Sequence, residues 1–442
     1  MGAGVMAAAG RRGDLTPAGH ARIRRYLALI PVFMWLVFSG SDLLMHLPFG
    51  LPGAQVRSAR DFVQFYVQGV VVNRGDTQAL YDANMWMQLL RRQVPGAPDS
   101  DLHFPPVYGP QLALLFSPLA HLTYDRALSV FLFMSLAIYL ACGYAVWKAC
   151  PRLRAWPEMV AFLLLSDPAL HYTLRFTQIS VIGLLCVTGG YVALRANRPF
   201  LAGLAIGSLI YKPQSGLAAA VIFICAREWR IVLGAIVGAA VHLAIGGVLL
   251  GASVVAAYGR SLLHMAPDYA PQSQPFKFHM HSWSAFFELL ALPGWMATAA
   301  YVAAAAVTLI LAVRCWRASG PLALRYSVFL IATVLVNPHL YAYDFIVLAP
   351  AFLLLWNWAL AQRGRAVGEV FPALPIAWLR ARSFSTSLEW LLYFCYMSPV
   401  FAIVAAEFHV QLSVLALALL GGVVSAVLLS PSGRAITGWS TA

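Results

Sequence analysis

Charged side chains are too few in this chain to cover a soluble surface. Asp, Glu, Lys and Arg make up 11% of its 442 residues, where a soluble domain of this size carries about 25%. A soluble globular enzyme is excluded on that ground. The roughly ten-residue alternation of apolar and polar positions that marks an outer-membrane barrel strand is missing as well. Cysteine contributes six scattered residues (Cys142, Cys150, Cys186, Cys225, Cys315 and Cys395) and no C-x-x-C pair. Neither a zinc site nor a disulfide framework is indicated. No internal repeat and no soluble domain is evident. Acidic residues are outnumbered, 17 against 30 basic ones, for a formal net charge of +13.

What is present is apolar sequence: 61% of residues are hydrophobic. Runs of about 18 or more recur from end to end, so the chain reads as an all-α, polytopic integral membrane protein. The arginines sit in short loops between these runs, the pattern of the positive-inside rule rather than of nucleic-acid binding. Arg11, Arg12, Arg22, Arg24 and Arg25 precede "YLALIPVFMWLVF". That start resembles a signal peptide, with "FSGS" as a possible cleavage site, and we read it as an uncleaved first span. Residues 1–25 are then a cytoplasmic basic tail, 26–430 one transmembrane domain and 431–442 a C-terminal tail.

With the basic tail inside, 26–46 cross outward and 48–108 form a first outer loop of about 60 residues, too long to be idle. Two amphipathic helices are predicted there, one with Phe62, Phe65, Tyr66 and Gly69 on a stripe, the other with Tyr81, Met85, Leu89 and Trp86. Such helices lie in the interface plane. Further apolar segments fall near 109–123, 127–147, 157–173, 177–194, 199–226, 231–256, 295–313, 322–337, 341–361, 386–406 and 410–430. Placing every basic cluster inside requires 109–147 to cross once and 199–226 to cross twice, breaking at "YKPQSG". The opposite assignment puts "KACPRLR" and "RANR" outside. Both leave 48–108, a second large outer loop at 257–294 and the "NPHLYAYD" turn on the outer face.

Few carboxylates reach that face. Asp61 stands out because its helix-mates are aromatic and Gln64 and Gln68 share its polar edge. A carboxylate partly desolvated at a membrane boundary has a raised pKa and could take a proton from an acceptor hydroxyl during group transfer. The alternative is a helix N-terminal charge favoured by the dipole. "DSD" at 99–101 is similar to a metal-binding D-x-D, but without a nucleotide-binding domain it reads as a solvated loop. The H-x-H of His279 and His281 has no third ligand spaced to join it, so no metal and no cofactor is expected. Behind the double proline of "LHFPPVYGPQ", His103 and Tyr108 could line a pocket. Arg175 and Gln178 meet at a helix boundary. Lys212 lies within an apolar run beside a proline, where a cation is costly unless it faces a cavity or a partner. There it suits an anionic headgroup or snorkels to the interface. In "NPHLYAYD", His339, Tyr341, Tyr343 and Asp344 gather at a helix end; the tyrosines could equally form an aromatic belt.

"DFVQFY", "HFPPVYGPQLALLFSPLAHL", "RFTQISVIGLL", "YKPQSG" and "NPHLYAYDFIVLAPAFLLL" resemble, in order, the motifs of glycosyltransferase family 87, over roughly residues 25–365. These are GT-C-type membrane mannosyltransferases that use polyprenyl-phosphate-mannose. The resemblance implies a GT-C fold of about 11–13 transmembrane helices, with interfacial helices of the first outer loop packed over the active site. It implies a multi-pass protein of a bacterial inner or plasma membrane, active on the outer (periplasmic or extracellular) face. The transfer is expected to be inverting and metal-independent, moving a hexose from a polyprenyl-phosphate donor to a lipid or glycan acceptor. Asp61 matches the family's base. Lys212, His339, Arg175 and Gln178 become candidates for the donor phosphate, and Phe65, Tyr66, His103, Tyr108, His279, His281 and Tyr343 for lining the acceptor or sugar. Two positions depart from the family pattern: Thr177 replaces the usual glycine before the glutamine, and a Leu-Tyr pair follows "NPH". Two other functions are open to such a chain: a lipid-linked oligosaccharide ligase, with its critical histidine and arginines in a late, large outer loop such as 257–294, and a lipid or polysaccharide transporter. A transporter concentrates charge at the bilayer midplane, whereas the polar residues here concentrate in outer segments.

Overall fold

The computed structural model describes residues 29–42, 61–93, 104, 108–269 and 274–430. Both expected tails, the D-x-D at 99–101 and His103 lie outside the described residues. Among those described, all regular structure is helical; the only β interactions are two isolated bridges, Met280 with Tyr341 and Ala366 with Ser383.

Helix α1 (Leu29–Asp42) is followed by α2 (Phe62–Arg74) and α3 (Ala83–Gln93) in the first long loop. The aromatic stripe of α2 meets protein rather than lipid, because every residue from Phe62 to Gly69 is buried. Its aromatic stripe is covered by α4 (Pro110–Phe116) and α5 (Tyr124–Trp147). Phe65 stacks on Phe116 at 5.2 Å and Phe62 packs on Phe131 at 5.0 Å. Gly69 allows this approach, since a Cβ there would stand 2.4 Å from the Phe116 carbonyl oxygen. Helix α3 has one exposed face, but its inner face carries Trp86 and Leu90, while Met85 is exposed. The Trp86 indole N–H donates to the Phe104 carbonyl at 2.6 Å and draws that face inward.

Helix α4 has seven residues and rises only about 10 Å, too little for a hydrocarbon core of about 30 Å. Within residues 109–147 only α5 is long and apolar enough to cross a membrane. The next apolar run divides into α6 (Pro157–Leu165) and α7 (Pro168–Arg175) at Asp167, whose carboxylate caps α7 by accepting the Ala169 N–H at 2.9 Å. Helix α8 (Ser180–Arg195) leads to α9 (Pro199–Gly207), two 3-10 turns (Ser208–Tyr211 and Pro213–Gly216), and α10 (Leu217–Cys225). Lys212 stands between the turns with φ −137° and ψ 79°, outside the helical region that the following proline disfavours.

Helix α11 (Trp229–Leu250) lies backbone to backbone on α9. A Cβ on Gly203 would stand 2.1 Å from the Ile231 carbonyl oxygen, and one on Gly207 2.2 Å from that of Ala235. Partners advance together along both helices, so the two run the same way and their starts share one end of the molecule. Helix α9 rises from that end to Lys212, and α10 returns to it.

Helices α12 (Ala252–Tyr269), α13 (Trp283–Leu289), α14 (Gly294–Arg317) and α15 (Leu322–Val336) follow. The indole of Trp316, at the end of α14, donates to Glu228 at 2.9 Å, which brings Arg314 and Arg317 to the same end as Arg198 and Arg230. Every residue of α15 from Ala323 to Val336 except Arg325 is buried, making it the central helix. A 3-10 segment (Ala342–Leu348) runs into α16 (Ala349–Ala361), and long helices at Phe384–Met397 and Leu412–Leu429 complete the bundle. Among the described residues five helices are long and apolar enough to cross a membrane, and five further apolar helices are shorter. The protein is an all-α polytopic membrane protein whose apolar runs are interrupted at 116–124, 166–168, 176–179, 212 and 337–349, and the last three of these breaks build the site.

Candidate active site

Helix α7 ends in a Schellman turn. The Gln178 N–H reaches the Thr173 carbonyl at 2.9 Å and the Thr177 N–H reaches that of Leu174 at 3.2 Å. The turn residue is Thr177, with φ +55°, a position that usually takes glycine. This turn meets the start of α2. The Phe62 N–H donates to the Thr177 hydroxyl at 2.9 Å, and the Gln178 side-chain amide donates to the carboxylate of Asp61. Asp61 makes no capping hydrogen bond to its own helix. Its carboxylate is committed sideways to Gln178 rather than to the helix N-terminus.

Beside it, where the 199–226 run breaks, Lys212 Nζ donates to both oxygens of Asp344 at 2.7 Å each. The Ser180 hydroxyl, from the first residue of α8, adds a bond to Asp344 Oδ1 at 2.7 Å. Lys212 and Asp344 are both 7% exposed, a burial that an unpaired charge would not tolerate. The Tyr343 ring lies 5.6 Å from the ammonium and stacks on Tyr341, which His339 meets edge-on at 5.0 Å. His339 is exposed. Burial pushes the Asp61 carboxyl up to about 6, against the opposing pull of the Gln178 hydrogen bond and the Lys212 charge. Asp61 as a residue is half-buried, and its carboxyl group lies on the inner side, against Gln178. Tyr108 is held well above the ordinary phenol range by burial and then by the charges of Asp344 and Asp61, so it stays neutral within reach of both carboxylates.

The structure thus collects Asp61, Gln178, Lys212, Tyr108, Tyr343 and His339 into one cluster of side chains. It does not bring all the expected residues there. Arg175 points to α1, paired with Asp42 at 2.5 Å. Phe65 is wedged between Phe116 and Tyr108, and the Tyr66 hydroxyl donates to the Leu122 carbonyl at 2.8 Å. Both serve the core around α2. His281 is fully buried behind the 339–344 turn: its N–H donates to the Leu340 carbonyl and its Nδ1 pairs with the Ser413 hydroxyl at 2.7 Å. Burial, with the neighbouring His279 adding to it, lowers its pKa to about 3, so it is neutral packing. The His279 ring rests on Phe278.

Sequence reasoning singled out Lys212 as a cation for phosphate and missed that Asp344 already holds it. The signal existed: a carboxylate three residues into one apolar run and a lysine inside another each require a partner. Ser180 and the hydroxyl of Thr177 carried no such signal.

The family model of glycosyltransferase family 87 matches residues 107–338, more than half of the 442-residue chain. The chain belongs to glycosyltransferase family 87. No curated protein and no solved structure matches it. The family 87 match includes Tyr108, Arg175, Gln178 and Lys212, while Asp61 precedes it and His339 and Asp344 follow it. The protein is therefore a membrane-embedded glycosyltransferase.

Proposed function

We propose that this glycosyltransferase moves a hexose, with mannose the expected sugar, from a polyprenyl-phosphate carrier to a hydroxyl of a lipid or glycan. Asp61 is the general base. It takes the acceptor proton as the acceptor oxygen bonds to the anomeric carbon, and the bond from that carbon to the donor phosphate breaks with its electron pair leaving on the phosphate. A single displacement of this kind inverts the anomeric centre. A retaining route needs a second carboxylate as nucleophile, and both oxygens of Asp344 are engaged by Lys212, one also by Ser180. Two of the three ammonium N–H groups are used on Asp344, which aims the third; with Tyr108 and His339 it offers the leaving phosphate its donors.

The observation that carries the reading is the placement of Asp61: its carboxyl, pushed up to about 6 by burial, is held by the Gln178 side chain and not by its own helix. An outward-facing site is supported by the basic helix ends, Arg198, Arg230, Arg314 and Arg317, which gather at the end from which α9 rises to Lys212. Full burial of His281 weighs against a ligase built on that histidine.

The test is transfer of labelled mannose from polyprenyl-phosphate-mannose into lipid extract by membranes containing the wild type or Asp61→Asn. Label is expected with the wild type, falling at least about a hundredfold in the variant. Undiminished transfer by Asp61→Asn returns the residue to a helix-end charge. Transfer only from another lipid-linked sugar corrects the donor and leaves the base in place.

A further inference from the structure

Thr177 combines two features that are hard to explain separately. It is a β-branched residue at φ +55°, a region its Cβ disfavours, and it is completely buried. Glycine would relieve the turn. The hydroxyl, however, accepts the Phe62 N–H at 2.9 Å and donates to the Phe176 carbonyl at 2.7 Å. The first amide of α2 is thus satisfied from another helix, 115 residues away in sequence. A Ser, Thr, Asp or Asn at the start of a helix normally turns its own side chain back onto the first amides. Asp61 makes no such bond, and the next residue of the same turn, Gln178, takes its carboxylate instead.

We infer that Thr177 is a positioning residue for the transfer step. Its hydroxyl pins the start of α2 to the α7–α8 turn, so the Asp61 backbone and the Asp61 carboxylate are both held by one rigid dipeptide, Thr177–Gln178. One carboxylate oxygen is then oriented by the Gln178 amide. This rests on Asp61 as the base.

The experiment compares wild type, Thr177→Ser, Thr177→Gly and Asp61→Asn in the same transfer assay, with kcat, donor KM, pH profile and melting temperature for each. Thr177→Ser keeps the hydroxyl and is expected within about twofold of wild type. Thr177→Gly should lose ten- to about a hundredfold in kcat, with donor KM within about twofold. Its acid limb should move to higher pH as the Gln178 bond loosens. Its melting temperature should stay within about 4 °C of wild type, because the relieved turn offsets the lost hydrogen bond. An unchanged kcat in Thr177→Gly, or an equal loss in Thr177→Ser, overturns the positioning role while Asp61→Asn remains inactive. Activity in Asp61→Asn overturns the base assignment and the inference together.

Discussion

Asp61 is under opposing demands. The base role proposed for it requires ionisation at working pH, yet burial favours its neutral form, and the result is a pKa pushed up to about 6. Transfer is expected to fall about tenfold per pH unit below that value and to level off above it. Gln178 stabilises the ionised form, so Gln178→Leu raises the pKa; its acid limb should move up by about one unit in a kcat/KM–pH profile. Stability follows the same shift with the opposite benefit. Because the folded pKa lies above the unfolded value of 3.8, the native state loses stability as pH rises from about 4 to about 6. Asp61→Asn, neutral throughout, should melt above the wild type at pH 7.5, with the gap closing toward pH 4. The Lys212–Asp344 pair differs. Lys212→Ala strands a buried carboxylate and should cost about 3–5 kcal/mol. The double variant Lys212→Met/Asp344→Leu should recover melting temperature in size-exclusion thermostability assays but not transfer.

Among elements, the seam between α9 and α11 fixes where Lys212 arrives. Its glycines leave no room for a Cβ: Gly234 would place one 2.2 Å from the Phe200 carbonyl oxygen. Gly203→Ala is therefore expected to lower the melting temperature by several degrees and reduce folded yield, since backbone must move against backbone. Gly259, in α12, has nothing within 4 Å of its Cβ position. Gly259→Ala should be neutral or stabilising by about 0.5–1 kcal/mol, the helix preference of alanine over glycine.

For the whole molecule, the broken helices 199–226 and 337–349 both turn at the level of the site, and the arginine-rich ends lie opposite. A membrane-impermeant maleimide applied to intact cells carrying a Cys225→Ser background should label Asn84→Cys, beside the first-loop helices, and spare Ala196→Cys, next to Arg198. Reversed labelling places the site on the cytoplasmic side.

How much of this was legible in the sequence follows from which forces are local. Hydropathy determined an all-α membrane protein, because the bilayer demands internal hydrogen bonding of every run that crosses it. The motif around Asp61 and the proline after Lys212 marked two parts of the site, since a charge in an apolar setting and a proline in a helix are each costly where they stand. Tertiary structure alone decided the rest. Whether the aromatics of α2 meet lipid or protein depends on α4 and α5 covering them. Whether Lys212 is free depends on Asp344 arriving from 132 residues away. The strained Thr177 acquires its hydrogen-bonding partner only when α2 docks against the α7–α8 turn. These are pairings between distant segments, and no local pattern encodes which partner satisfies a buried polar group.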